Sequence, residues 1–248
     1  MQINRDEISK KGIVISLVKY KDYDAIVTAI NESEIFSFYA RGIYKKGSKN
    51  FPNLIELTYS EFSFLRYDQE RLFLLEAKRI DGFQNLESIE RISCLNLVRE
   101  LTSILVKDNE AVQNIFPIFK RCIEVINLEE VDPYTVALIY FAKIMIVAGY
   151  QMNVNSCGRC NSKFKISGVS IRENSFVCSS CFKEEKDIKL SKDELLSLRY
   201  IFKCEEEDFA RVKLDEKVCR KLLKLLNLFI KDYENISLNS LDIIESFN

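Results

Sequence analysis

Strand-like alternation of hydrophobic and polar positions fills the first third of the chain. In the segment EIFSFYARG, Phe36, Phe38 and Ala40 alternate with Ser37 and Tyr39, which is the two-residue period of a half-buried strand. Five segments separated by short polar turns are predicted as strands: 12–20, 24–30, 34–42, 54–67 and 70–79. This set indicates a small barrel or sandwich, and the five-stranded OB-fold is one barrel of this size.

From about residue 80 the hydrophobic period becomes helical. Asp132 and Pro133 supply an N-cap and a first-turn proline, and Gly149 is placed to end the same helix. The segment 134–148 is apolar nearly all round, which predicts a helix at the centre of a helical domain. The predicted helices are 87–106, 110–127, 134–148, 191–204 and 215–233.

Composition agrees with an intracellular protein. Apolar residues make up 47% and charged residues 29% of the 248 positions, which is ordinary for a globular chain. The polar start MQINRDEISKKG lacks the apolar core of a signal peptide. The longest apolar run, 134–149, is short for a membrane span and contains Lys143. We therefore expect a cytoplasmic protein without a membrane partner.

Two CxxC pairs interrupt the helical part of the chain. They are Cys157 with Cys160 and Cys178 with Cys181, separated by seventeen residues. Because the sequence has no histidine, four cysteines are the familiar structural zinc set available to it. The spacing favours one structural Zn²⁺ in a zinc ribbon. A redox dithiol and an iron–sulfur cluster are the alternatives.

The cysteine set argues against catalysis at the metal. A catalytic zinc keeps one position open for water, whereas four thiolates fill a tetrahedral shell. The lack of histidine also removes the usual general base, and no phosphate-binding loop is found. The four other cysteines lie in helix-like segments and are predicted to be small buried hydrophobic residues: Cys94, Cys122, Cys204 and Cys219.

A basic loop is the second candidate site. No acidic residue lies between Glu34 and Glu56, and within that gap the stretch YARGIYKKGSKNFPN interleaves cations with aromatic rings. The candidate DNA-contacting residues are Arg41, Lys45, Lys46 and Lys49, with Tyr39 and Tyr44 as the rings. Cations for phosphates beside rings for bases suit single-stranded nucleic acid. The alternative is a solvated hairpin loop whose tyrosines pack inward.

Three features together resemble the RecO family of bacterial DNA repair and recombination mediators. They are the opening strands GIVISLVKYKDYDAIVTAI, the stretch YARGIYKKGSK, and the late pair of CxxC motifs after a helical run. Their order and spacing match over nearly the whole chain. The resemblance implies an α+β multidomain fold: an N-terminal OB-fold DNA-binding barrel at 1–80, then a mostly α-helical domain at 81–248 with a zinc-binding insertion at about 154–184.

The resemblance also implies function. RecO-like proteins bind single- and double-stranded DNA and anneal complementary strands without hydrolysis. They act with RecR, and in some pathways with RecF, and help load RecA. They also engage the acidic, apolar C-terminal tail of the single-stranded DNA-binding protein. Cytoplasmic, nucleoid-associated localisation is expected. Candidate tail-binding cations among the helices are Lys120, Arg121 and Lys143.

Three functional hypotheses follow from the sequence. The leading one is a non-enzymatic DNA-binding and annealing mediator of repair and homologous recombination. The second is a zinc-containing protein–protein adaptor that does not itself bind DNA. An enzyme is third, because histidine and phosphate loops are absent. With a pI of about 5.9, DNA binding is expected to depend on a local basic patch and on salt.

Overall fold

The computed structural model describes residues 6–66, 71–82, 88–234 and 236–246. The predicted turn at Asp68-Gln69 lies outside the described residues. Two compact units share the chain: one holds the described residues of 1–85 and 102–117, and the other those of 86–101 and 118–248. The predicted order, a strand-rich domain followed by a helical domain with a four-cysteine cluster, is confirmed.

Five strands close into a barrel with the order β1-β2-β3-β5-β4, the OB-fold that the sequence predicts. The strands are β1 (Asp6–Tyr20), β2 (Asp24–Ile30), β3 (Ile35–Ala40), β4 (Thr58–Arg66) and β5 (Leu72–Gly82). Neighbouring strands are antiparallel except β3 and β5, which meet in parallel at Tyr39 and Phe73. That single bridge closes the barrel.

The strand β1 is longer than its hydrophobic pattern predicts. It begins at Asp6 instead of residue 12, because its polar first half pairs with β4 from Asp6 to Ile13. Its second half pairs with β2, and the register shifts between Val14 and Ser16. Backbone pairing with β4, not hydrophobic alternation, therefore extends the strand.

Four phenylalanines fill the barrel. Phe36, Phe38, Phe62 and Phe64 are at most 6% exposed, and their ring centroids lie 4.8–6.2 Å apart. Burying each ring contributes roughly 1.5–3 kcal/mol. The predicted alternation of β3 is thus confirmed, since its phenylalanines point into the core and Ser37 is exposed.

The fourth strand begins four residues later than predicted. A 3-10 turn at Phe51–Asn53 precedes it, and Leu57 has a φ of 64°, which is incompatible with a strand. The buried side chains of Leu54 and Leu57 explain the hydrophobic signal there. These apolar residues pack into the barrel from a turn, so hydrophobicity alone predicted the wrong start.

The helical elements are α1 (Ile89–Leu105), α2 (Asn109–Ile126), α3 (Pro133–Val147), α4 (Lys192–Lys203), α5 (Glu216–Glu234) and α6 (Asn239–Ser246). Twelve of the fifteen residues of α3 are buried, which confirms its predicted central position. Asp132 accepts the Thr135 N–H at 2.9 Å, and Gly149, with a φ of 85°, ends the helix. The Tyr150 N–H reaches the Met145 carbonyl at 2.8 Å, which completes a Schellman motif.

A small sheet carries the cysteines. Its strands are β6 (Asn153–Cys157), β7 (Ile166–Ser170), β8 (Ser175–Cys178) and β9 (Asp187–Lys189), in the order β6-β8-β7-β9. The next helix, α4, packs against β6 and β7. The predicted capping box between Ser191 and Glu194 opens that helix. Among the described residues, no helix is long and apolar enough to cross a membrane.

Candidate metal centre and nucleic-acid interface

The two CxxC pairs converge at the end of the small sheet. The sulfurs of Cys157, Cys160, Cys178 and Cys181 all lie within 4.8 Å of one another, and those of Cys160 and Cys178 are 3.6 Å apart. A tetrahedral zinc with Zn–S bonds of about 2.3 Å needs sulfurs about 3.8 Å apart. The donor set and its geometry therefore fit one tetrahedral metal ion.

Tight turns place the cysteines. The Asn161 N–H donates to the Cys157 carbonyl at 2.9 Å, and the Cys181 N–H donates to the Cys178 carbonyl at 3.0 Å. Asn161 has a φ of 57°, which lets the first turn fold back on itself. An added Cβ at Gly158 would lie 2.1 Å from the Ser175 Oγ. The glycine in CGRC thus allows the first turn to approach β8.

The protein environment favours a thiolate at Cys157. Burial raises the pKa of this thiol, but the backbone N–H groups of Cys178, Arg159 and Cys160 donate toward the sulfur and lower it to about 6. Hydrogen bonding with Cys160 raises the pKa of Cys181 to about 12, because closely spaced sulfurs share protons. A divalent cation bound by the four sulfurs would offset the repulsion between neighbouring thiolates and favour the loss of their protons.

Arg159 connects the two CxxC turns to the rest of the sheet. Its guanidinium makes two bonds of 2.6 and 2.7 Å to the buried carboxylate of Asp187 and one of 2.9 Å to Glu173. It also donates to the Cys181 carbonyl. The Arg159 guanidinium holds the pKa of Asp187 below its usual value. The ion pairs and hydrogen bonds of Arg159 with Asp187, Glu173 and the Cys181 carbonyl therefore hold the two CxxC turns against the sheet. We call the pair of Arg159 and Asp187 the supporting clamp.

The basic loop follows β3 in the barrel. Arg41, Lys45, Lys46 and Lys49 are all exposed. Gly42 and Gly47 have φ values of 65° and 80°, and the Lys45 N–H donates to the Gly42 carbonyl at 3.1 Å. The glycines thus let the chain turn tightly while its cations remain in solvent.

Asp24 organises this loop from the start of β2. Its carboxylate accepts the Tyr39 hydroxyl and, at 2.7 Å, the Gly42 N–H. The Tyr39 hydroxyl is the main cause that lowers the pKa of Asp24, followed by the Gly42 N–H and the charges of Lys21 and Arg41. The same hydrogen bond raises the pKa of Tyr39.

The two predicted tyrosines differ in their surroundings. Tyr39 is half-buried and meets Tyr20 and Phe73 edge-on, with centroids 6.0 and 5.6 Å apart. Tyr44 is also half-buried, but it packs on Phe51 at 5.5 Å and against the barrel core. Tyr44 therefore has the inward packing that the alternative interpretation of the loop describes.

Sequence reasoning missed the most exposed rings at this end of the barrel. Tyr20 and Tyr23 flank the turn between β1 and β2 and are 46% and 52% exposed. The Lys21 Nζ lies 5.2 Å from the Tyr20 centroid, and the Lys45 Nζ lies 5.9 Å from the Tyr23 centroid. The two tyrosines stand in the stretch YKDY, which the hydrophobic pattern predicts only as a polar turn between strands.

A groove of about 490 Å³ adjoins these rings, and we call it the barrel groove. It is lined by Tyr20, Lys21, Ile26, Ser37, Phe38, Tyr39, Arg71, Leu72 and Phe73. Its walls combine aromatic faces with two cations, which suits an unstacked base and its phosphate. Lys49 does not line this groove. It lines another groove, along β5.

The predicted partner-binding cations occupy different settings. Lys143 is half-buried and donates to the Cys204 carbonyl at the C-terminal end of α4. Arg121 is exposed and lies 3.7 Å from Glu124, while Lys120 is half-buried on α2. Lys143 thus already has a role in capping a helix.

Another groove, of about 370 Å³, lies between the cysteine-bearing sheet and α4, and we call it the ribbon groove. Its floor is apolar and its other lining residues include four cations. It is lined by Lys163, Ile166, Ser167, Phe176, Lys189, Leu190, Lys192, Leu195, Leu196 and Arg199. Phe164, next in sequence to Lys163, is 79% exposed.

Comparisons with known proteins bear on the whole chain. The sequence model of a family described as "Recombination protein O C terminal" matches residues 86–242. Proteins named "DNA repair protein RecO" are similar over nearly full length. That of Clostridium perfringens strain 13 is 25% identical over 96% of this chain and 97% of its own. That of Mycoplasma capricolum is 27% identical over 98% of both chains.

Proposed function

The chain belongs to the RecO family of DNA repair proteins, and from that premise we propose that it is a DNA-binding mediator of repair and homologous recombination. We propose that it binds single- and double-stranded DNA in a pathway of the RecF, RecO and RecR type. The observation that carries this proposal is the barrel groove together with the basic loop, where exposed rings and cations lie side by side.

The chemistry of the groove suits a single strand. Within the groove, Lys21 attracts a phosphate and a base stacks on Tyr20. Outside its lining, the loop cations Arg41 and Lys45 and the ring of Tyr23 supply the same chemistry. Stacking uses the face of a base and leaves its hydrogen-bonding edge open. A strand held in this way is available to a complementary strand, which supports our proposal that the protein anneals strands. That it helps load RecA is proposed from the family resemblance alone.

We further propose that the protein acts by binding and not by turnover. The absence of histidine from the sequence supports this, because histidine is the commonest general acid–base group. The four-cysteine cluster would hold one structural Zn²⁺ that fixes the ribbon. Assays for nuclease and ATPase activity test this part, and turnover in either would contradict it.

The proposed protein partners are RecR, the tail of the single-stranded DNA-binding protein, and in some steps RecF and RecA. Lys120, Arg121 and Lys143 are the candidate cations that follow from the family resemblance for binding the acidic, apolar tail. The ribbon groove is a second candidate for it, because an apolar floor with cations around it complements such a peptide. Its lysines 163, 189 and 192 have no ion-pair partner among the described residues.

A fluorescent peptide with the tail's acidic and apolar character separates the two locations. We expect Lys189→Glu with Lys192→Glu to weaken peptide binding more than tenfold, since each reversal replaces attraction with repulsion. Lys120→Glu with Arg121→Glu is the matched comparison. If only the second pair weakens binding, the tail binds at α2. Unchanged peptide binding in both variants would exclude the ribbon groove and α2 as binding sites for the tail.

The DNA-binding proposal is tested with a fluorescent single-stranded oligonucleotide at low salt. Reversing Arg41, Lys45 and Lys46 to Glu should abolish most of the binding, because three phosphate contacts become repulsive. The matched control reverses the exposed cations Lys203, Lys213 and Lys217 on the second unit, with the same change in net charge. Equal losses in both variants would show that only overall charge matters.

A wild-type protein that binds no DNA but retains partner proteins would support the adaptor hypothesis.

A further inference from the structure

A polar groove of about 690 Å³ runs along β5, and we call it the β5 groove. Among its described lining residues, the cations are Lys49, Lys78 and Arg79, and the acidic residue is Glu76. The sequence separates Lys49 from Lys78 by 28 residues, so only the fold brings these charges to one groove. The basic loop therefore supplies cations to two places, Lys45 beside Tyr23 and Lys49 at β5.

The floor of the β5 groove is fixed by two asparagines. The Asn50 side chain accepts the Ala77 N–H at 3.0 Å and donates to the Leu75 carbonyl at 3.3 Å. Asn53 donates to the Ala77 carbonyl at 2.7 Å and to the Lys49 carbonyl at 3.2 Å. These bonds attach the loop to β5 where β3 no longer pairs with it. The backbone that carries Lys49 is thereby held beside Lys78 and Arg79.

The charges in the groove are available to an anion. Lys78 lies 3.1 Å from Glu76, but the two side chains are 68% and 55% exposed. An ion pair that exposed contributes little to stability, so a phosphate can replace the carboxylate at small cost. The described lining residues carry a net charge of +2, from three cations and one carboxylate.

The β5 groove and the barrel groove both contain residues of β5. Phe73 lines the barrel groove and Lys78 lines the β5 groove, and five residues of strand span about 17 Å. Among the described lining residues of the β5 groove there is no aromatic ring. It is therefore suited to a sugar–phosphate backbone and not to stacked bases.

We propose that the β5 groove extends the path of the single strand, so that Lys49, Lys78 and Arg79 bind phosphates beyond the nucleotides held in the barrel groove. This inference rests on the proposed DNA-binding function and adds a second, phosphate-only segment to the same site. A short oligonucleotide fills the barrel groove alone, whereas a longer one reaches both grooves.

Oligonucleotide length tests the path. Lys78→Ala with Arg79→Ala is compared with the wild type on strands of about 5 and about 15 nucleotides, the range of OB-fold site sizes. The variant should bind the long strand roughly tenfold more weakly and reduce its salt slope by about 1.4, which corresponds to two phosphates. The short strand should bind with unchanged affinity. Lys213→Ala with Lys217→Ala is the control and should leave both affinities unchanged.

Other results overturn the inference in distinguishable ways. Unchanged binding of the long strand, with the wild type binding both strands, would overturn the path and leave the proposed function intact. If the variant bound the short and the long oligonucleotide equally more weakly, Lys78 and Arg79 would contact the nucleotides held in the barrel groove, and the path would be overturned. Loss of annealing with normal long-strand binding would assign the groove to the second strand. A wild type that binds neither strand would overturn the proposed function and the path together.

Discussion

Asp24 connects three parts of the barrel interface: the start of β2, the ring of Tyr39 and the turn at Gly42. Its carboxylate lies near Lys21 and Arg41, whose charges help to lower its pKa. The negative charge is therefore structural in a region that we propose to bind phosphates. It holds the loop in place while the surrounding cations stay in solvent.

This arrangement predicts a pH dependence. Because the folded pKa of Asp24 lies below its reference value of 3.8, its stabilisation is complete above about pH 4 and is lost as the pH falls through the lower folded value. Asp24→Asn should be less stable than the wild type at neutral pH, and the difference should narrow in acid. Urea unfolding at a series of pH values measures this. A difference that stays constant with pH would contradict it.

Single residues also show where sequence reasoning stops. The cations of the basic loop are exposed as the pattern implies, because charged side chains seldom bury. Tyr39 and Tyr44 follow the same local pattern, yet Tyr44 packs against Phe51. Tyr23 approaches the loop because β2 pairs with β3 and places Ala25 opposite Ala40. Its contact with Lys45 therefore depends on strand pairing that the local pattern does not show.

At the scale of elements, α6 has only a weak helical pattern in the sequence, and its first turn is capped by a charged side chain from a distant part of the chain. The buried carboxylate of Glu100 in α1 accepts the Asn239 and Ser240 N–H groups at 3.0 and 2.9 Å. These N–H groups lie at the first turn of α6, where an intrahelical partner is missing. A short helix without a strong stripe was not predicted from the sequence, because its cap comes from 139 residues away.

Removing the Glu100 carboxylate should destabilise α6 without destabilising α3. Glu100→Ala leaves two backbone N–H groups without their acceptor, which costs roughly 1–2 kcal/mol. We expect faster hydrogen exchange at 239–246, while α3 keeps its protection because its caps are its own. Glu110→Ala at the start of α2 is an exposed control. Unchanged exchange in α6 would show that its packing alone holds it.

Strand and helix types were predictable where local periodicity and burial agree. The hydrophobic pattern gives β2 with its observed bounds and α3 within a residue. It fails at β1, which backbone pairing extends through a polar segment, and at β4, where Leu54 and Leu57 pack from a turn. In both cases the missing information is tertiary.

For the whole molecule, the cysteine cluster is where sequence spacing predicts geometry best. Two rigid turns and one sheet bring four sulfurs within 4.8 Å, as the two CxxC pairs imply. The four remaining cysteines are buried, as predicted. The supporting clamp of Arg159 and Asp187 was not predicted, because Asp187 lies outside both motifs and reaches Arg159 only across the sheet.

Metal analysis tests the structural role of this cluster. Protein purified under reducing conditions should contain about one zinc per chain. Cys178→Ser should lose the metal and destabilise the second unit, because metal binding contributes to its folding free energy. Binding of DNA to the barrel should persist. Cys204→Ala removes a buried cysteine outside the cluster and should retain zinc. Iron in the wild type, or no metal, would contradict the assignment.

The most direct test of the central claim is the salt dependence of single-stranded DNA binding. The logarithm of affinity is measured against the logarithm of salt concentration for the wild type and for a variant with Arg41, Lys45 and Lys46 changed to Ala. If these side chains bind phosphates, the slope should become shallower by about 2, or about 0.7 for each lost contact. An unchanged slope and affinity would show that DNA binds elsewhere and would contradict the account.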